Sequence, residues 1–224
     1  MSFQGFRAGT LPFLSDLAEH NERAWFEANR ARWEADLLAP ARELVEAIGP
    51  GVQAIDPRLG VEPRVGGAIF RIHRDTRFSA DKRPYKEELA LRFSPSTEGA
   101  SGLYLRVRPA GVGFAAGSWR FTPAGLARFR EAVADDVRGA ELAALVAGLE
   151  RDGCGYTSEP LKRVPKPWTE DHPRAALLKA RGLVVGVDRP IPDTFTTPAF
   201  AETCLAGLRR LAAVHLWLAR HVDA

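Results

Sequence analysis

The sequence predicts an α+β fold: an antiparallel β-meander of four to five strands, with flanking α-helices in a single layer on its apolar face. Three observations predict it. Period-2 alternation clusters between residues 66 and 119, apolar residues at helical spacing fill both flanks, and short turn-like links join the later runs.

Leu11, Leu14 and Leu17 mark one side of a first helix, with Thr10 as N-cap and Pro12 in its first turn. Asn21 caps a second helix, whose buried stripe is Trp25, Phe26, Trp33, Leu37, Leu44 and Ile48. Pro40 should kink or split that helix, because proline has no amide and its ring strikes the carbonyl four residues earlier. Pro50, Pro57 and Pro63, with few apolar neighbours, make residues 49–66 a loop. Four alternating runs follow. Ala68, Phe70 and Ile72 share one side of the first, Leu89, Leu91 and Phe93 of the second, and Leu103, Leu105 and Val107 of the third. The fourth, residues 112–119, is rich in glycine and alanine. Arg71, His73, Arg92, Tyr104, Arg106 and Arg108 belong to the opposite face.

Thr122-Pro123 is a cap followed by proline at the first helical position, opening a helix on Leu126, Phe129 and Val133. A shorter helix carries Leu142, Leu145, Val146 and Leu149. Residues 153–168 read as loop or sheet edge, 173–180 as a short helix and 183–187 as a fifth strand. Thr197-Pro198 starts the last helix, on Phe200, Cys204, Leu208, Leu211, His215 and Leu218. No repeat and no long linker divides the chain, so residues 1–224 are expected to form a single domain.

With 46% hydrophobic and 26% charged residues, the chain belongs with ordinary globular proteins, and its 224 residues suffice for a full core. No run of 18 apolar residues suggests a membrane span. The first residues lack an apolar core and a cleavage site, so no secretory signal is expected. Cys154 and Cys204 form no C-x-x-C pair and no disulfide framework, which points to a reducing cytoplasm.

The net charge of +3 is too mild to announce nucleic acid. Its distribution says more. Residues 71–86 hold six cations (Arg71, Arg74, Arg77, Lys82, Arg83, Lys86) against Asp75 and Asp81, a local charge of +4, so the rest of the chain is slightly acidic. A second cluster holds Lys162, Arg163 and Lys166. Against 26 arginines there are only five lysines, and four of them (Lys82, Lys86, Lys162, Lys166) fall in these two clusters. A compact ammonium on a flexible stem suits a point contact to an anion. Like charges gathered in two separate stretches suggest that the two share one anionic partner.

Familiar motifs fail on context. Gly111, Gly113 and Gly117 loosely resemble a dinucleotide fingerprint, but a strand-like run follows where a helix N-terminus is required. His73-Arg74-Asp75 resembles the kinase catalytic tripeptide, yet Ala80 stands where the asparagine belongs. His20, His73, His172, His215 and His221 show no metal-ligand spacing, and no cofactor motif appears. His215, on an apolar helical stripe, reads as a core histidine.

Arg71, Arg74, Asp75, Arg77, Phe78, Asp81, Lys82 and Tyr85 together satisfy the pattern R-x-x-R-D-x-R-F-x-x-[DN]-K-x-x-Y. In this the chain resembles an uncharacterised bacterial family, domain of unknown function 2461. The likeness extends from Phe13-Leu14 and Trp25-Phe26 to Lys162-Arg163 and Asp171-His172-Pro173, with Pro167 departing from the glycine expected there. The resemblance implies a family but no activity. On their own chemistry, Arg71, Arg74, Arg77, Lys82, Lys86, Lys162, Arg163 and Lys166 are candidate ligand-binding residues for a phosphate- or carboxylate-bearing small molecule. Asp75, Asp81, Tyr85 and His172 are the available proton carriers if a reaction occurs. Two alternatives stand beside this. The segment is a structural ion-pair network in an interaction module, or the arginine-bearing sheet face binds nucleic acid.

Overall fold

The computed structural model describes residues 2–77 and 79–223; Phe78, one of the pattern residues, lies outside the described residues with Met1 and Ala224. The elements run α1 (Thr10–Glu19), α2 (Arg23–Ala28), α3 (Arg30–Arg32), a π-helical turn (Trp33–Leu38), α4 (Ala39–Gln53), β1 (Leu89–Phe93), β2 (Gly102–Arg108) and β3 (Gly111–Ser118). They continue through α5 (Pro123–Ala134), α6 (Arg138–Arg151), β4 (Gly155–Thr157), α7 (Ala175–Leu178), β5 (Leu183–Arg189), a 3-10 turn (Asp193–Thr196) and α8 (Phe200–His221). The five strands form one antiparallel sheet in the order β1-β2-β3-β5-β4, with Tyr156 of β4 opposite Val185 of β5. This is the α+β class that the alternation predicts.

The glycines of β3 are explained by its neighbour. A Cβ on Gly111 would meet the Arg189 carbonyl oxygen at 2.2 Å, and one on Gly117, whose φ is +135°, would meet that of Leu183 at 1.9 Å. The run that resembles a phosphate-binding fingerprint is therefore a strand whose backbone lies tight against β5.

The chain divides into two compact units. The first comprises Met1–Phe93, Tyr104–Gly113 and Asp188–Gly207. Its core includes Phe6, stacked on Phe195 at 5.0 Å with Phe200 edge-on, and a run of α1 and α4 side chains that exclude water (Phe13, Leu14, Leu17, Leu44, Val45). The second comprises Ser94–Leu103, Phe114–Val187 and Leu208–Ala224. There Phe121, Phe129 and Trp217 pack in sequence. Arg174, almost enclosed, donates to the Val133, Ala134 and Asp135 carbonyls that end α5, satisfying acceptors the helix leaves open.

Several local expectations are corrected. Pro40 does not split its helix in two; the helix runs on through it, and the turn before it widens to π. In an α-helix the Asp36 carbonyl would bond the amide of residue 40 and would strike a proline ring there, so the chain widens and turns that carbonyl elsewhere. Thr10 is not the N-cap of α1, a place held by Gly9; its buried hydroxyl donates to the Asp36 carbonyl at 2.5 Å. Gly9 has to be small, since a Cβ would sit 2.4 Å from the Asp36 carboxylate. The segment read as a loop from residue 49 is helical as far as Gln53, with Pro50 inside α4. Residues 68–73 are not a regular strand, and Phe70 faces out while Ile69 is buried, inverting the expected alternation there. Phe70 tolerates this because the Lys86 ammonium covers its ring at 4.7 Å and the Arg92 guanidinium lies at 5.8 Å. Thr122, by contrast, caps α5 as expected, accepting the Gly125 amide at 3.1 Å.

Candidate functional site

The basic segment is a two-armed ribbon. Residues 68–70 pair antiparallel with 90–92, through Phe70 N to Ala90 O (3.0 Å) and Arg92 N to Ala68 O (2.8 Å). Residues 72–74 pair with 84–86, through Lys86 N to Ile72 O and Arg74 N to Pro84 O, both 2.8 Å. Between these stretches Arg71 alone opposes Glu87, Glu88 and Leu89. The longer strand must bow, and a bulge of this kind re-aims the side chains around it.

The loop beyond the arms closes on itself. Asp75 accepts the Arg77 amide at 3.2 Å and takes its guanidinium at 2.9 and 2.6 Å. Asp81 does the same for Arg83, with the amide at 3.0 Å and the nearer guanidinium nitrogen at 2.7 Å, and also receives Arg74 at 2.6 Å. Asp56 and Arg58 repeat the arrangement, so Asp-x-Arg is a recurring turn in this chain. Arg77 holds the Asp75 carboxyl down at about 2, and Arg83 with Arg74 pushes Asp81 lower still. Lys82 donates to the Thr76 carbonyl at 2.9 Å and Lys86 to that of Arg71 at 3.0 Å. Burial, with Arg71 nearby, lowers the pKa of Lys86.

Asn21 fastens the ribbon to the helices. Its amide brackets the Tyr85 backbone, accepting from Tyr85 N and donating to Tyr85 O, both at 3.0 Å, and also donates to Glu87 at 3.1 Å. It is a cross-segment clamp rather than the N-cap of α2, whose cap position is Glu22. The Tyr85 ring is buried and stacks on Phe26 at 4.3 Å; burial and the nearby Glu27 carboxylate push its hydroxyl above the ordinary tyrosine range.

Arg71 stands apart. Among the described residues its guanidinium has no carboxylate within ion-pair distance, and its charge acts on Asp75 and the Lys86 ammonium only at longer range. It lines a cleft of about 330 Å³ with His73 and Ile72 from the ribbon and Val65 before it. The helical side supplies Phe26, Arg30, Trp33, Glu34, Leu38 and Arg42. Widening the turn at residues 33–38 brings Trp33, Glu34 and Leu38 to this one side. Arg30 is held by Glu27 at 3.0 and 2.8 Å, and Arg42 by Glu34 at 2.8 Å. The cleft thus has an aromatic and aliphatic floor and a cationic rim with Arg71 unbalanced. Sequence reading passed over Arg30 and Arg42, and gave Trp33 only to a buried helical stripe. The signal was present: Phe26, Arg30 and Trp33 recur at intervals of four and three, a helical face mixing aromatic rings with a cation.

Arg74 lines a different concavity, of about 600 Å³, with Tyr85, Lys86, Glu87, Glu88 and Arg108. Here the arginines are matched: Arg74 bonds Asp81, Arg108 bonds Glu88, and Glu87 takes Arg83, while the Lys86 ammonium rests on the Arg71 carbonyl. Arg71 and Arg74 therefore do not line one cleft. On the sheet, Arg106 is paired with Asp188, so two of the arginines expected on an open basic face have carboxylate partners.

Lys162, Arg163 and Lys166 are exposed and belong to the second unit. Their loop is held by Glu170, which accepts the Val164 amide at 2.8 Å and pairs with Lys179, the fifth lysine, at 2.7 Å. The peptide joining Lys166 to Pro167 is cis. His172 accepts the Arg174 amide on Nδ1 at 3.0 Å. Ser101, His215 and Asp223 meet, but not as a catalytic triad. The serine hydroxyl contacts both His215 Nδ1 (2.9 Å) and Asp223 (2.6 Å), and both Ser101 and His215 are shut off from solvent. Among the described residues no cluster of His, Cys, Asp or Glu can hold a metal, and no helix is long and apolar enough to cross a membrane.

The model of a family described as "Conserved hypothetical protein (DUF2461)" matches residues 9–217. Among curated proteins and among solved structures, none matches the chain significantly.

Proposed function

Because the chain belongs to the conserved hypothetical protein family DUF2461, whose description names no reaction, we propose its function from its own residues: it binds an anionic, phosphate- or carboxylate-bearing small molecule in the cleft beside Arg71. One observation carries this. Of the described pattern residues, Arg74, Asp75, Arg77, Asp81, Lys82 and Tyr85 each have a bond or ring partner within the ribbon or on α2, whereas the Arg71 guanidinium has no carboxylate. A planar fork of donors beside a concave floor is suited to bidentate contact with a carboxylate or phosphate. The volume falls at the small end of ligand sites, which run from about 300 Å³ upward.

The closed loop favours a second reading, in which residues 71–86 are a structural ion-pair network and the protein an interaction module. A thermal-shift screen at fixed ionic strength separates the two. Phosphate, sulfate, nucleotides, sugar phosphates and dicarboxylates are tested on wild type, Arg71→Met and Lys82→Ala. A ligand at a hundredfold over its Kd stabilises by about 2.7 kcal/mol, or roughly 5–11 °C for a chain this long. A shift kept in Lys82→Ala and lost in Arg71→Met supports the cleft. A shift lost in Lys82→Ala alone moves the site to the loop and overturns it. Should no anion shift wild type, the structural network is the better account.

A further inference from the structure

The cleft has more on its walls than an anion needs. Phe26, Trp33, Leu38, Val65 and Ile72 give it an apolar floor, and Trp33 and Val65 are open to solvent in part. A small inorganic anion at the rim would leave that floor wetted. On the rim, Arg30 and Arg42 already have their glutamates, so a single cationic charge, that of Arg71, is uncompensated there. The arrangement asks for one anionic group attached to a flat apolar body. A ring lying on Trp33 would gain by stacking and by covering the exposed floor, while its charged end meets Arg71. The position of Trp33 is set by the backbone, since it begins the π turn that runs up to Pro40.

We infer that the ligand of this cleft is an aromatic ring bearing one carboxylate or phosphate, held by Arg71 at the charged end and by Trp33 at the ring. This rests on the anion-binding reading above and narrows it to a class. The anionic group comes from either of two sources, an aryl carboxylate or an aryl phosphate, and the rim accepts both by the same guanidinium chemistry.

The test is calorimetric titration of the full chain with benzoate, phenyl phosphate, cyclohexanecarboxylate and inorganic phosphate at fixed ionic strength. Wild type is compared with Trp33→Leu and Arg71→Met, and circular dichroism confirms that each variant is folded. The expected result is that phenyl phosphate or benzoate binds wild type at least tenfold tighter than inorganic phosphate and tighter than the cyclohexyl acid. Trp33→Leu removes most of that preference, and Arg71→Met weakens every anion. Whichever of benzoate and phenyl phosphate binds tighter identifies the anionic group. Inorganic phosphate binding as tightly as phenyl phosphate, or a preference unchanged in Trp33→Leu, overturns the ring while leaving the anion site standing. If none of the four binds, while a dicarboxylate or sugar phosphate shifts the melting temperature through Arg71, the ring is again wrong and the site right. If no anion acts through Arg71 in either experiment, both fall.

Discussion

Replacing Thr10 by valine keeps the shape of the side chain and deletes the hydroxyl that donates to the Asp36 carbonyl at 2.5 Å. Thr10 is completely buried, so water cannot take over the bond. An orphaned buried carbonyl costs about 1–3 kcal/mol, which for a chain of this length lowers Tm by roughly 2–12 °C. Pro40 gives a sharper test, because a proline there has no amide to offer the Asp36 carbonyl in an α-helical register. Pro40→Ala restores the amide and lets this turn take an α-helical register, in which that amide bonds the Asp36 carbonyl. In that background Thr10→Val should cost less by about 1 kcal/mol or more, a coupling expected of two groups that serve one acceptor. Urea denaturation of wild type, both single variants and the double variant measures it. Equal costs for Thr10→Val with and without Pro40 refute the assignment of the hydroxyl to a carbonyl orphaned by proline.

Asn21→Ala strips both bonds from the Tyr85 backbone and one from Glu87, and should destabilise by about 1–3 kcal/mol in the same assay; a change within about 0.5 kcal/mol, the range of ordinary surface substitutions, contradicts the clamp. Acid should loosen the loop of residues 75–83. The folded Asp75 carboxyl lies at about 2, below its ordinary 3.8, and Asp81 is lower still, so their stabilisation is complete above about pH 4 and fades as pH falls toward 2. Limited pepsin cleavage of the loop should rise over that window and be independent of pH there in Asp75→Asn/Asp81→Asn, apart from the enzyme's own pH dependence measured on a control peptide. Ser101 should resist fluorophosphonate labelling and Ser101→Ala should lower Tm, since the serine bridges His215 and Asp223 in the core; rapid labelling of the folded protein contradicts that structural role.

The legible parts of the fold are those set by neighbours in sequence. Leu89, Leu91 and Phe93, and Leu103, Leu105 and Val107, are all buried as alternation requires, and Thr122-Pro123 opens its helix as its chemistry dictates. Thr10 and Asn21 misled for one physical reason. The side chains that cap helices are the same ones that bond distant backbone, and their partners here lie 26 and 64 residues away. Phe70 sits outside because a lysine sixteen positions on covers it, a contact to which period counting is blind. The charged segment announced itself through its excess of cations. Which of them would be neutralised depended on Asp-x-Arg turns and on a bulge opposite Arg71, neither of which spacing reveals.

The loop arginines Arg77 and Arg83 have their own carboxylates, whereas Arg71 is the guanidinium we propose meets the ligand. Side-chain Nε–Hε resonances of arginine, followed by NMR during titration with phenyl phosphate, separate these two roles. The Nε–H groups of Arg77 and Arg83 already donate to Asp75 and Asp81, and should stay in place while Arg71 moves and saturates. Movement of Arg77 and Arg83 with Arg71 unmoved would put the ligand on the loop and not in the cleft beside Arg71.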